Sequence, residues 1–298
     1  MAKYINWISW LATVVVAWTI GYSFNHYYPA GETAWVYSLY TQKVEAARQA
    51  GKGKIIVVGG SGTHFGVDTT KIEQSLNMPV VNMGLHAGLG LNAILKSVDE
   101  IVEQGDIVVL IPEYEIIITN NGQSDLASLF GATIGNPLIG AGRIDQVFIE
   151  VMKAAQPGLK DFVFSLSGIK KQGYSNKVDR LGNTRETPGG SSSRFSFQNE
   201  EISQYSLWNL KHFQNRLEAK GARLIISMPW IFSDTNIESI TTAKNLANSL
   251  ELIAPVIYDE EINIKDEPSF FGDTWYHLSD KGREKRSVEL AEQLKDLL

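Results

Sequence analysis

The stretch IIVVGGSGTHFGVDTT, Ile55 to Thr70, runs four β-branched apolar residues into glycines set around Ser61. Glycine on either side of a serine removes Cβ crowding, so a tight turn can present the hydroxyl together with backbone N–H groups. Three chemistries compete for such a turn. A phosphate cradle needs a closing Gly-Lys-Ser/Thr, which GGSGTHFG lacks. A dinucleotide turn needs Gly-x-Gly-x-x-Gly, and Gly60, Gly62 and Gly66 are wrongly spaced for it. The third is a nucleophilic serine, which needs a base, an acid to orient the base, and donors for an oxyanion. It is not the Gly-x-Ser-x-Gly elbow, because Thr63 stands where the second glycine belongs.

FFGDTWYHLSDKG, near the carboxyl terminus, supplies candidates for the missing parts. Asp273 and His277 share one loop just ahead of a helix that begins near Ser279, giving the chain order Ser, Asp, His. His64 and His86 are expected at the same edge as Ser61. With His277 and Asp273 they match no metal-ligand spacing, so they are expected to line a substrate, and no metal or organic cofactor is required.

Alternating strands and helices must position these groups. Apolar runs predict strands at 54–58, 80–83, 106–111, 222–228 and 256–259. Between and after them, helical periodicity predicts helices at about 35–50, 69–77, 89–103, 202–220, 236–252 and 279–298. Near-continuous apolar strands in this alternation mean a parallel sheet covered on both faces, a five-stranded three-layer α/β sandwich. Ligands of such sheets sit at the carboxyl ends of the strands, where Ser61 lies. An irregular insertion at about 114–200, with pieces such as GNTRETPGGSSSRFSF, interrupts the pattern and is expected to hold a few helices and a long surface loop.

From Tyr4 to Phe24 there is no charged side chain. That length matches the roughly 20 helical residues that cross a hydrocarbon core about 30 Å thick. Trp7, Trp10, Trp18 and Tyr22 are expected at the lipid–water interfaces. Lys3 precedes the run, so the positive-inside tendency puts the amino terminus in the cytoplasm and the rest outside. A cleaved signal peptide fits less well, since no clear small-x-small site follows the apolar run. The chain thus divides into a single-pass anchor over 1–27, with the bilayer as its partner, and a domain over 28–298. NHYYPAGETAW, 25–35, reads as a juxtamembrane linker.

The 298 residues carry a net charge of -6, which offers no basic field, so nucleic acid is not an expected partner. The absence of cysteine rules out disulfides and a thiolate nucleophile.

In these blocks the sequence resembles the SGNH (GDSL-type) hydrolases, over roughly Lys54 to Leu298 without the insertion. VVGGSGTHFG matches the family's serine block, VVNMGLHAG its glycine block and DTWYHLSDKG its acid–base block. The resemblance implies a flavodoxin-like fold, Ser61 as nucleophile, His277 as base and Asp273 as the acid that orients it. It also implies an oxyanion hole made by the N–H groups of Ser61 and Gly84. Two departures stand out. LIPEYE, with Glu113 and Tyr114, replaces the family's Gly-x-Asn-Asp block. Three residues, not two, separate Asp273 from His277, which leaves Asp266 and Glu267 as alternative orienting acids. Asn92 is a further candidate donor, Asn82 reads as structural, and Glu113 suits either a sugar hydroxyl or a helix cap.

The layout is similar to membrane-anchored SGNH proteins that accompany membrane-bound O-acyltransferases. That similarity implies serine esterase or O-acyltransferase chemistry, commonly with acetyl groups, on a polysaccharide outside the cell. The alternative is a non-catalytic member of the fold that binds glycan or a membrane partner.

Overall fold

A computed structural model describes residues 2–119, 124–156, 174–190 and 192–298. Helix α1 (Ala2–Tyr27) is followed after three residues by α2 (Gly31–Ala50). Strand β1 (Ile55–Gly59) leads into α3 (Ser61–Gly66) and α4 (Thr69–Leu76); β2 (Val80–Gly84) leads into α5 (Gly90–Lys96). Next come β3 (Ile107–Ile111), α6 (Tyr114–Ile118), α7 (Asp125–Thr133), α8 (Ile144–Ala154) and α9 (Gln204–Ala219). The chain closes with β4 (Arg223–Ser227), β5 (Ile231–Phe232), α10 (Ile237–Glu251), β6 (Val256–Ile257), β7 (Ile264–Lys265) and α11 (Asp280–Lys295).

Strands β1, β2, β3, β4 and β6 form one parallel sheet in the order β2-β1-β3-β4-β6. Successive strand residues point to opposite faces. Ile56, Val58, Val108 and Leu110 therefore enter a core with Leu39 of α2, Ile94 of α5, Phe213 of α9 and Leu246 of α10. Ile55, Val57, Ile107 and Val109 enter a second core with Ile72 of α4 and Leu290 and Leu294 of α11. With both faces covered, every residue of β1, β2 and β3 is buried, which is why these strands read as nearly continuous apolar runs, broken only by Asn82 of β2. Lys54 and Asp106, one residue ahead of β1 and β3, form a buried ion pair of 2.6 Å that sets the two strands in register.

The five expected strands all form, with ends shifted by a residue or two. Three expectations change. The linker at 25–35 contracts to Tyr28–Ala30, because α2 starts four residues earlier than its apolar spacing suggested. The helix expected over 89–103 stops at Lys96. There the Ser97 hydroxyl turns back onto the Ile94 carbonyl, and short turns continue to Ile101. A second, two-stranded parallel sheet of β5 and β7, absent from the sequence reading, carries the chain toward Asp273. The insertion supplies α6, α7 and α8; its remaining loop lies partly outside the described residues.

Among the described residues one helix, Asn6–Tyr27, is long and apolar enough to cross a membrane. It is not a free-standing rod. Gly21 lies against the carbonyl of Ala155, so close that a Cβ would overlap it. The Trp18 indole donates to the Val151 carbonyl at 2.8 Å, and the Asn25 amide to the carbonyls of Ala154 and Gln156 at 2.9 and 2.8 Å. Trp18 is therefore a packing residue against α8 rather than a simple interface anchor.

Candidate active site

Adjacent strands β2, β1 and β3 end at one edge of the sheet and deliver three loops to it. After β1 the chain turns at Gly60 and begins α3 with Ser61. Gly60 has φ -86, outside the left-handed region that favours glycine. Close approach requires it instead. A Cβ on Gly60 would meet the Cα of Ala87 at 2.8 Å, and one on Gly62 would meet the Cβ of Tyr276 at 3.1 Å. The glycines around Ser61 let the loop after β2 and the loop near the carboxyl terminus close in from both sides. The Ser61 side chain is half-buried, and among the described residues its hydroxyl makes no hydrogen bond.

The acid–base loop is a tight reversal. Phe271 and Leu278 pair as an antiparallel bridge, and the Gly272 N–H donates to the His277 carbonyl at 2.7 Å. Inside it the Thr274 hydroxyl accepts from the N–H groups of Tyr276 and His277. This compact turn brings Asp273 Oδ1 to 2.8 Å from His277 Nδ1 despite the extra residue between them. The alternative acids are engaged elsewhere. Glu267 accepts from Ser269 N–H, and Asp266 lies beside Thr235 and Arg194. His277 also packs on Phe65, with ring centroids 4.6 Å apart, and Phe65 lies one helical turn along α3 from Ser61. The imidazole thus stands beside the face of α3 that carries the serine.

Tyr174, in the insertion, has no counterpart in the sequence blocks. Its hydroxyl donates to Asp273 Oδ2, the oxygen that His277 leaves open. Burial alone would raise the Asp273 carboxyl, but the hydrogen bonds from Tyr174 and His277 outweigh it and hold the group below its ordinary value. Burial acts on His277 in the opposite sense. It lowers the imidazole's pKa by more than the Asp273 contact raises it, so the ring is neutral at pH 7. A neutral imidazole whose Nδ1–H is held by a carboxylate presents Nε2 as a proton acceptor.

Glu113 follows β3 at the place of the missing block and is buried. Its carboxylate accepts from the N–H of Gly60 at 3.1 Å and of Gly62 at 2.9 Å, one on either side of Ser61. Burial pushes its pKa up to about 7, against these two hydrogen bonds. A cleft of about 470 Å³ opens beside it, lined by Ala87, Gly88, Glu113, Glu115, Thr119 and Tyr276.

Other expected residues take different roles. Gly84 is not a free oxyanion donor, for its N–H is bonded to Asn82 Oδ1 at 2.9 Å. Its missing Cβ admits the α3 backbone, with His64 N only 2.4 Å from where that atom would stand. Asn82 is structural, as read, tying β2 to the carbonyls of Thr63 and Val67 and to buried Lys43. Asn92 points away from the site, donating to the Gly140 carbonyl and the Tyr205 hydroxyl, so it is no oxyanion donor. His64 is fully buried and lines no open surface; burial, with nearby Lys43 and His277, keeps its ring neutral.

His86 Nδ1 accepts from the Gly88 N–H and its Nε2 faces Glu32 Oε1 at 2.8 Å, linking the β2 loop to α2. Trp35, also of α2, touches both His64 and His86 edge-on at 5.9 Å. Two residues from the start of α2 therefore wall the site, a contribution invisible in the sequence blocks.

Compared with models of protein families and with curated proteins, the chain matches none.

Proposed function

We propose that this chain is a membrane-anchored serine esterase or O-acyltransferase of SGNH type. In this reading α1 spans the bilayer with its amino terminus in the cytoplasm, and the domain acts outside on a cell-surface or exported polysaccharide. The sheet order, second-first-third-fourth-fifth, supports a flavodoxin-like sandwich as the frame. The observation that carries the proposal is the 2.8 Å Asp273–His277 bond beside the helix that opens with Ser61.

The steps follow from the charges. Rotation of the unbonded Ser61 hydroxyl toward His277 Nε2 completes the relay, a tightening common when substrate binds. Ser61 Oγ attacks the acyl carbonyl while Nε2 takes its proton, and Asp273 stabilises the imidazolium. Collapse of the tetrahedral intermediate returns that proton to the leaving alcohol and leaves an acyl-serine. Water or a sugar hydroxyl then gives its proton to Nε2 and takes the acyl group. Acetyl is the acyl group proposed, and a membrane-bound O-acyltransferase is the proposed donor partner for transfer.

A second reading is favoured by Glu113, whose carboxylate occupies the two N–H groups flanking Ser61 where an oxyanion would need donors. It is a non-catalytic SGNH-fold protein that binds glycan or a membrane partner. Labelling of the full chain in detergent with a fluorophosphonate separates the two. The enzyme reading expects labelling that is lost in Ser61→Ala and falls sharply in His277→Ala, with folding retained by circular dichroism. Labelling that persists in Ser61→Ala removes this serine from the mechanism.

A further inference from the structure

Helix α8 is built inside out for a helix facing water. Gln146 and Glu150, one turn apart, are buried with Ala154, while Ile144 is 88% and Phe148 73% exposed and Ile149 and Met152 are exposed beside them. Both inward polar side chains hydrogen-bond within the protein: Glu150 accepts from the Ser128 hydroxyl at 2.7 Å, and Gln146 from the Gly142 N–H at 2.7 Å. In water such a helix leaves its apolar residues facing solvent and its polar ones inside, the reverse of an amphipathic surface helix.

The same helix is fastened to α1 through the Trp18–Val151 and Asn25–Ala154 hydrogen bonds, so its depth is fixed relative to the anchor. Length then decides that depth. The candidate span begins at Asn6, so the part of it ahead of Trp18 covers only about 18 Å. That is short of a hydrocarbon core about 30 Å thick. For α1 to cross, the level of Trp18 must itself enter the membrane, and α8 goes with it. Val16 and Ile20 of α1 are exposed there, as are Phe148 and Ile144 of α8.

We infer that α8 lies in the outer interface of the bilayer that α1 crosses, with Ile144, Phe148 and Met152 against lipid. The inference rests on the anchor reading above. The protein then has a second membrane element that fixes its height and tilt as well as its attachment.

The chain has no cysteine, so single-cysteine variants can be spin-labelled without background. Phe148→Cys, Val15→Cys and Lys244→Cys are made in the full chain, labelled with a nitroxide and reconstituted at high dilution in phosphatidylcholine vesicles. Collision with oxygen, which partitions into lipid, is compared with collision with a water-soluble nickel chelate. The expected result is severalfold oxygen preference at positions 148 and 15 and chelate preference at 244. Oxygen preference at 15 with chelate preference at 148 overturns the inference and leaves the anchor intact. Chelate preference at both removes the anchor and the inference with it. A label at 148 shielded from both reagents shows a protein surface covering α8, a second copy if its spectrum is dipolar-broadened, and this too overturns lipid contact.

Discussion

A carboxylate that accepts from the N–H groups on both sides of a serine sets the charge that any chemistry at that serine must meet. With its pKa at about 7, Glu113 is largely neutral at pH 5 and largely ionised at pH 8. The anion repels a developing oxyanion, whereas the neutral acid leaves Gly60 and Gly62 better able to serve it. His277 works the other way, becoming a base as pH rises through its lowered value. Ester turnover should therefore follow a bell whose alkaline side lies near pH 7, and Glu113→Gln should lose that alkaline fall.

Stability follows the same group. A carboxyl raised in the folded state adds stability below its ordinary 4.5 and loses it as pH climbs through about 7. That difference is worth about 3 kcal/mol. Urea unfolding at pH 5 and pH 8 should show the decline in the native chain and not in Glu113→Gln. Equal declines in both would place the titrating group elsewhere.

Strands and helices explain why some residues were legible and others were not. β1, β2 and β3 are buried on both faces, so their apolar runs could be read directly, and the serine and acid–base loops could be placed from them. The resemblance implies an oxyanion role for the Gly84 N–H, yet in the fold this glycine serves by being small. A glycine kept for close approach and one kept for a donor look identical in sequence. Gly84→Ala separates them, because alanine keeps the N–H but puts a Cβ 2.4 Å from the backbone N of His64. Overpacking against backbone costs about 1–3 kcal/mol. The expected outcome is a lower urea midpoint together with lost activity as α3 shifts away from His277. Unchanged stability would return Gly84 to a donor role. Tyr174 and Trp35 escaped notice because contacts across 99 residues to Asp273, or from α2 to the β2 loop, leave no local pattern. The inverted polarity of α8 was hidden likewise, since periodicity shows that a helix has two faces but not which one the fold buries.

At the scale of the molecule, α1 and the loops around Ser61 are mechanically joined. α1 is hydrogen-bonded to α8 and runs, after Tyr28–Ala30, into α2, whose Glu32 and Trp35 reach His86 and His64. Trp35 is four residues into α2, about 6 Å along its axis. If α1 is an anchor and Ser61 the proposed nucleophile, the serine would therefore work close to the bilayer surface. This geometry requires that α1 be docked, not merely tethered. Asn25 tests it, being 6% exposed and donating to the carbonyls of Ala154 and Gln156. Asn25→Ala orphans two acceptors and should destabilise the full chain by about 1–3 kcal/mol. A thermal melt in detergent, followed by tryptophan fluorescence, should show a clear drop in Tm, while Trp7→Ala, on the exposed part of α1, should leave it unchanged. If α1 were only a leash, Asn25→Ala would melt with the native chain, and the site would have no fixed height above the lipid.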